Sequence, residues 1–64
     1  MKKSTVRVIY RFKDIRGLRS ATYENVYLID YSLTKHVIIC MQDEDGEYKT
    51  ATFALDTLVE IQLF

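Results

Sequence analysis

Sixty-four residues, 48% of them apolar, predict one small domain spanning 1–64, with room for one compact core and none for a second domain. A single cysteine, Cys40, excludes an internal disulfide, and no run approaches the roughly 18 apolar residues of a membrane-spanning helix. The net charge is zero but unevenly spread: residues 1–19 carry seven basic groups and one acid, residues 20–64 two basic groups and eight acids. Such asymmetry points to a charged partner.

The first predicted element is "TVRVIYRFK". Val6, Val8, Tyr10 and Phe12 alternate with Arg7, Ile9, Arg11 and Lys13, the mark of a half-buried strand. Its opening, "MKKSTVRVIYRF", fails as a signal peptide because Arg7 and Arg11 interrupt the stretch that would have to be apolar. With the lone thiol, this gives the expectation of a reducing, cytoplasmic compartment. "DIRGLRS" then reads as a loop turning at Gly17, an odd place for the branched apolar groups Ile15 and Leu18 unless they tuck inward.

The second element, "ATYENVYLIDYS", is long and apolar on both faces. Tyr23, Tyr27, Ile29 and Tyr31 alternate with Glu24, Val26, Leu28 and Asp30, so a bulge midway is expected to switch the buried side. A third strand, "HVIICMQ", and a fourth, "EYKTATFAL", flank "DEDG". "LDTL" reads as one helical turn that Asp56 could cap, and "VEIQLF" as a last strand.

The acidic stretch around Gly46 has three readings. As a calcium loop it fails: with Gly46 at the sixth position, Met41 and Thr52 fall where the first and last carboxylates are needed. As a hairpin it fits, since Asp-Gly between two β-rich runs supplies the positive φ that a tight turn demands. A two-residue Asp45-Gly46 loop would set Glu44 against Glu47 and turn Ile38 and Cys40 to one face. A three-residue loop, Glu44-Asp45-Gly46, pairs Asp43 with Glu47 and gathers Val37, Ile39, Met41, Ala51, Phe53 and Leu55 on one face. The larger apolar face favours the three-residue loop. A contact role for Asp43, Glu44 and Asp45 is compatible with either turn.

No catalytic constellation stands out. His36 and Cys40 share strand parity but lie about 13 Å apart along an extended chain, beyond the reach of one metal or one nucleophile–base pair. Ser4, Ser20 and Ser32 lack a nucleophile-elbow setting, and two glycines cannot build a phosphate loop. The expectation is a non-enzymatic chain with no catalytic, cofactor-binding or metal-binding residues and no cofactor.

Five short strands with turns every eight to twelve residues suggest a small barrel, because 64 residues are too few for a sandwich. The order of strand, loop, long strand, strand, tight hairpin, strand, helical turn and strand resembles the Src-homology-3 and Sm-like architectures. That resemblance covers the whole chain in element order, without the proline-binding aromatic cluster of the first family or the second-strand glycine of the other. It implies an all-β, five-stranded antiparallel barrel with a short helical turn before the last strand. The alternative is an open antiparallel sheet that dimerises to cover one face.

The functional expectation is a protein-interaction or regulatory, inhibitory module, a character common among short bacterial and phage proteins, with self-association as a homodimer or higher oligomer also expected. Its candidate contact residues are Arg7, Arg11, Lys13, Ile15, Arg16, Leu18, Arg19, Tyr23, Tyr27, Asp43, Glu44 and Asp45. The alternative is a nucleic-acid-binding barrel in which the basic first strand, extended by Lys2 and Lys3, tracks phosphates while tyrosines stack on bases. Five phosphate contacts would give a log–log salt slope of about −3.5 on single strands. Against both stands internal pairing of the arginines with Glu24, Asp30 or Glu60. No membrane partner is expected.

Overall fold

The computed structural model describes residues 4–64. Lys2 and Lys3, expected to extend the basic region, lie outside the described residues. The chain forms five strands, β1 (Ser4–Tyr10), β2 (Arg19–Asp30), β3 (His36–Gln42), β4 (Tyr48–Ala54) and β5 (Leu58–Leu63). They make one antiparallel sheet in the order β4-β3-β2-β1-β5. No helix occurs among the described residues, and so none long and apolar enough to cross a membrane.

The expected five antiparallel strands are present. The sheet is not closed by hydrogen bonds, since β4 pairs only with β3 and β5 only with β1 among the described residues. Residues 55–57 form a tight turn, in which Thr57 N donates to Ala54 O at 3.0 Å and Leu58 N to Leu55 O at 3.3 Å. Asp56 does not cap this turn as expected. Thr57 Oγ1 donates to Ala54 O at 2.9 Å, and the Asp56 carboxylate lies 3.4 Å from Lys13 Nζ.

Alternation sets the inner face of β1. Val6 and Val8 are buried there, opposite Tyr23 and Ala21 of β2 on one side and Leu63 and Ile61 of β5 on the other. Val26 and Ile39 complete the cluster, and Tyr10, Ile29, Met41, Ala51, Phe53 and Leu58 pack against it. Each fully buried Val or Ile side chain stabilises by about 1.5–3 kcal/mol. Aromatic contacts tie the two wings of the sheet together. The Phe53 ring of β4 lies 5.4 Å from Tyr10 of β1 and 6.2 Å from Tyr23 of β2.

β2 holds both wings because it is bulged twice. The register slips between the Val6–Tyr23 and Ser4–Val26 pairs, and again between Val26–Met41 and Leu28–Cys40. At the first slip Asn25 takes φ 57°, the left-handed conformation that asparagine tolerates better than most residues. From Tyr23 onward, the inward side chains of β2 are therefore Tyr23, Val26 and Ile29, three residues apart rather than two. The expected mid-strand switch occurs, and it occurs twice. The first half of β2 serves β1 and the second half serves β3.

The β3–β4 hairpin has the three-residue loop. Asp43 N donates to Glu47 O at 2.9 Å, Gly46 N donates to Asp43 O at 3.1 Å, and Gly46 has φ +83°. The register Val37–Phe53 and Ile39–Ala51 turns Val37, Ile39, Met41, Ala51 and Phe53 inward. Leu55 departs from that expectation: it leaves the strand for the turn and is exposed.

Candidate functional site

β1 ends at Tyr10, earlier than alternation predicts. Arg11 N donates to Thr57 O at 2.8 Å, and Ile15 N bonds Phe12 O at 3.3 Å in a turn. Arg11 and Lys13 therefore belong to the β1–β2 loop and not to a basic strand face; Arg7 alone of the three projects from β1. Opposite Thr22 and Gln62, its guanidinium sits 5.2 Å from the centre of the Phe64 ring, a cation–π contact.

The internal-pairing expectation fails. Among the described residues no arginine has a carboxylate within ion-pair distance; the two pairs are Lys13–Asp56 and Lys49–Asp43, each at 3.4 Å. Register gives the reason. Glu60 sits opposite Ile9, not an arginine, and accepts from Gln62 Nε2 at 2.7 Å. Asp30 accepts from Ser32 N at 2.8 Å, and hydrogen bonds from Ser32 hold its carboxyl below the usual aspartate range.

Three connecting segments meet at one end of the molecule. The β1–β2 loop is bonded to the β4–β5 turn through Arg11 N and Thr57 O and through Lys13 and Asp56. That turn is bonded to the β2–β3 loop by Leu55 N donating to Lys35 O at 2.9 Å. Two open grooves follow these junctions, both lined by Asp56. One, of ≈ 670 Å³, runs from Arg11 to Gly17; the other, of ≈ 450 Å³, runs along Thr34, Lys35, His36, Ala54 and Leu55.

These segments expose large apolar side chains. Phe12, Ile15 and Leu18 stand on the first loop, with Ile15 44% and Leu18 62% exposed; neither tucks inward. Tyr31, at 65%, and Leu33 stand on the second, and Leu55 on the turn. Around them lie Arg11, Lys13, Arg16, Arg19 and Lys35, with Asp14 and Asp56 as the nearby acids in sequence. Sequence reading had missed Phe12, Tyr31, Leu33 and Leu55 as contact candidates. The available signal was position: each follows the last inward residue of a strand, where an apolar side chain has no sheet to cover it.

The remaining candidates are placed elsewhere. Tyr23 packs in the core, where burial and then neighbouring Tyr10 push its hydroxyl pKa up. Tyr27 lies on the opposite face at 5.6 Å from Tyr48, edge to face, and its pKa is raised first by desolvation. Neither tyrosine joins the arginines in a stacking platform. Asp43 is a turn-builder: its Oδ1 accepts from Asp45 N at 3.0 Å and Glu47 N at 2.9 Å, and its Oδ2 faces Lys49. These bonds, Glu47 N first, lower its pKa. Glu44 and Asp45 are exposed at the tip, and no hydrogen bond or ion pair joins residues 43–47 to residues 11–19 among the described residues. No three metal-ligating side chains converge among the described residues. Comparison of the chain with family models, with curated proteins and with solved structures returns no match.

Proposed function

We propose that the chain is a non-enzymatic protein-interaction module of regulatory or inhibitory kind, acting in the cytoplasm, with the loop end as its contact surface. The partner it suits is an acidic, apolar segment of another protein. One observation carries this reading: six exposed apolar side chains stand on two loops and the β4–β5 turn that is hydrogen-bonded to both, among arginines that have no carboxylate partner among the described residues. Apolar anchors ringed by arginine have the composition of protein interfaces, where desolvated aromatic and Arg contacts dominate affinity. We also read the sheet as a five-stranded barrel of Src-homology-3/Sm-like architecture, its β4–β5 seam closed by side chains and Leu55–Leu58 serving as the short helical turn. Phe53 packing across to Tyr10 and Tyr23, and the two i→i+3 bonds of that turn, support this.

The test is selection from a displayed library of random peptides on the immobilised chain. Enrichment of acidic, apolar sequences is expected, with binding lost at least tenfold in Leu18→Ser and in Arg16→Glu. A library with no such enrichment, or binding indifferent to both changes, overturns the reading. The nucleic-acid alternative draws on the same unpaired arginines but lacks stacking tyrosines beside them. It requires binding of oligothymidine at about 50 mM salt with a log–log salt slope near −3, the value for four phosphate contacts.

A further inference from the structure

Asp56 stands where the two grooves of the loop end meet, since it lines both. The fold does not ask for an acid there. Its turn is held by Thr57 N and Thr57 Oγ1 on Ala54 O and by Leu58 N on Leu55 O, and none of these bonds uses the Asp56 carboxylate. The pair with Lys13 holds little either: the lysine side chain is 76% exposed and the aspartate 62%, and an ion pair so open to water adds little to stability. Its effect on the surface charge is larger. Among the described residues, Lys13 alone of the cations lining the grooves has a carboxylate within ion-pair distance; Arg11, Arg16 and Lys35 have none.

That placement discriminates between anionic ligands. A segment long enough to lie in both grooves crosses Asp56. A single-stranded nucleic acid carries a charge on every nucleotide, so it brings a phosphate to the crossing, where a carboxylate repels it and the nearest lysine is already engaged. A peptide carries acids only at some positions. It can set them against Arg11 and Arg16 and lay an uncharged residue across Asp56. Repulsion of the wrong ligand contributes to specificity as much as attraction of the right one.

We propose that Asp56 is the specificity-determining residue of the loop end, a fixed counter-charge that takes Lys13 out of use and turns away uniformly anionic strands in favour of peptides with spaced acids. This rests on the reading of the loop end as a protein-binding surface, and it names the residue that separates that reading from nucleic-acid binding.

Oligothymidine binding, followed by fluorescence anisotropy through a salt titration, tests it. Asp56→Asn keeps the shape of the side chain, removes its charge and is expected to leave thermal melting unchanged. It is expected to bind about three- to fivefold tighter than wild type at about 50 mM salt, with a log–log slope steeper by about 0.7, the value of one further phosphate contact as Lys13 is released. Adding Lys13→Gln to Asp56→Asn is expected to abolish that extra slope. Asp45→Asn makes the same change in net charge at the far hairpin tip, beyond a screening length, and is expected to shift binding less than about twofold. Acidic peptides selected on the wild type are expected to gain less from Asp56→Asn than the oligonucleotide gains. Equal binding by wild type and Asp56→Asn, including none by either, overturns the proposal, as does an equal gain in Asp45→Asn or in the selected peptides. An Asp56→Asn chain that melts early overturns it too, because the carboxylate would then be structural. Successful peptide selection beside a failed oligothymidine comparison removes Asp56 alone; failed selection beside the expected oligothymidine shifts removes the protein-binding reading instead.

Discussion

The loop end and the β3–β4 hairpin tip sit at opposite ends of β3, seven residues or about 20 Å apart. Both carry concentrated charge, and they use it differently. At the hairpin tip, Asp43 accepts two backbone N–H groups and faces Lys49, while Gln42 Nε2 donates to Gly46 O at 2.9 Å. The charge there builds a turn. At the loop end, Arg11, Arg16 and Arg19 meet no carboxylate among the described residues, and apolar side chains stand near them. A cluster of charges in a sequence is therefore no measure of a contact surface until its internal hydrogen bonds are subtracted. Here the more acidic cluster is the more self-contained.

The comparison makes ranked predictions. The largest effect belongs to the hairpin's anchor: Phe53→Ala removes the ring that meets Tyr10 and Tyr23, and is expected to cost about 3 kcal/mol in urea denaturation. An undiminished midpoint would show that the hairpin does not brace the sheet. Next, Gly46→Val forces a β-branched residue to φ +83° and should cost roughly 1–2 kcal/mol; Gly17→Ala is also strained, by its own φ of +91°, but its unbranched methyl meets open space and should cost less. Equal losses would erase the distinction between a built turn and a looser loop.

A third, smaller effect is on pH dependence. Asp43 and Asp30 have lowered folded pKa values, so in acid the unfolded chain binds more protons than the folded one. Their contribution is complete above the unfolded value of about 4 and is lost as pH falls through the lower folded values. Melting temperature should fall across that window, less steeply in Asp43→Asn; identical slopes would remove Asp43 as a turn-builder. The smallest effect is expected at the loop end. Leu18→Ser and Arg16→Glu should each move stability by less than about 0.5 kcal/mol, because neither side chain is covered. A larger loss by thermal melting would mean that the loop end is structural.

Much of the fold was legible because most inward residues obey a period of two. Val6 and Val8, and Val37, Ile39 and Met41, announce their strands, and Asp-Gly announces the hairpin and even its length. β2 was legible only as a contradiction, apolar on both faces, since two bulges convert its inward spacing to three. The basic strand was over-read because Arg11 and Lys13 continue the alternation of β1 past its end. The chain instead turns at Phe12–Ile15, after a last backbone bond from Arg11 to Thr57, 46 residues away, and no local pattern records that bond. For the same reason Leu55 was assigned to the core face and Tyr31 and Leu33 were passed over. Their exposure depends on where three loops meet, and that is a property of the closed chain.

The pairing of β1 with β5 has a kinetic side. β1–β2, β2–β3 and β3–β4 are each joined by neighbours in the chain, while Val6 finds Leu63 only after more than fifty intervening residues are in place. Closing that distance spends chain entropy before it returns any contact, so it falls late in folding. Until then the inner side of β1 has one neighbour instead of two, and Val6 and Val8 lack Leu63 and Ile61. Any state in which β5 has not docked therefore leaves an apolar strand edge open to pairing with another chain, so the last strand protects the fold as well as completing it.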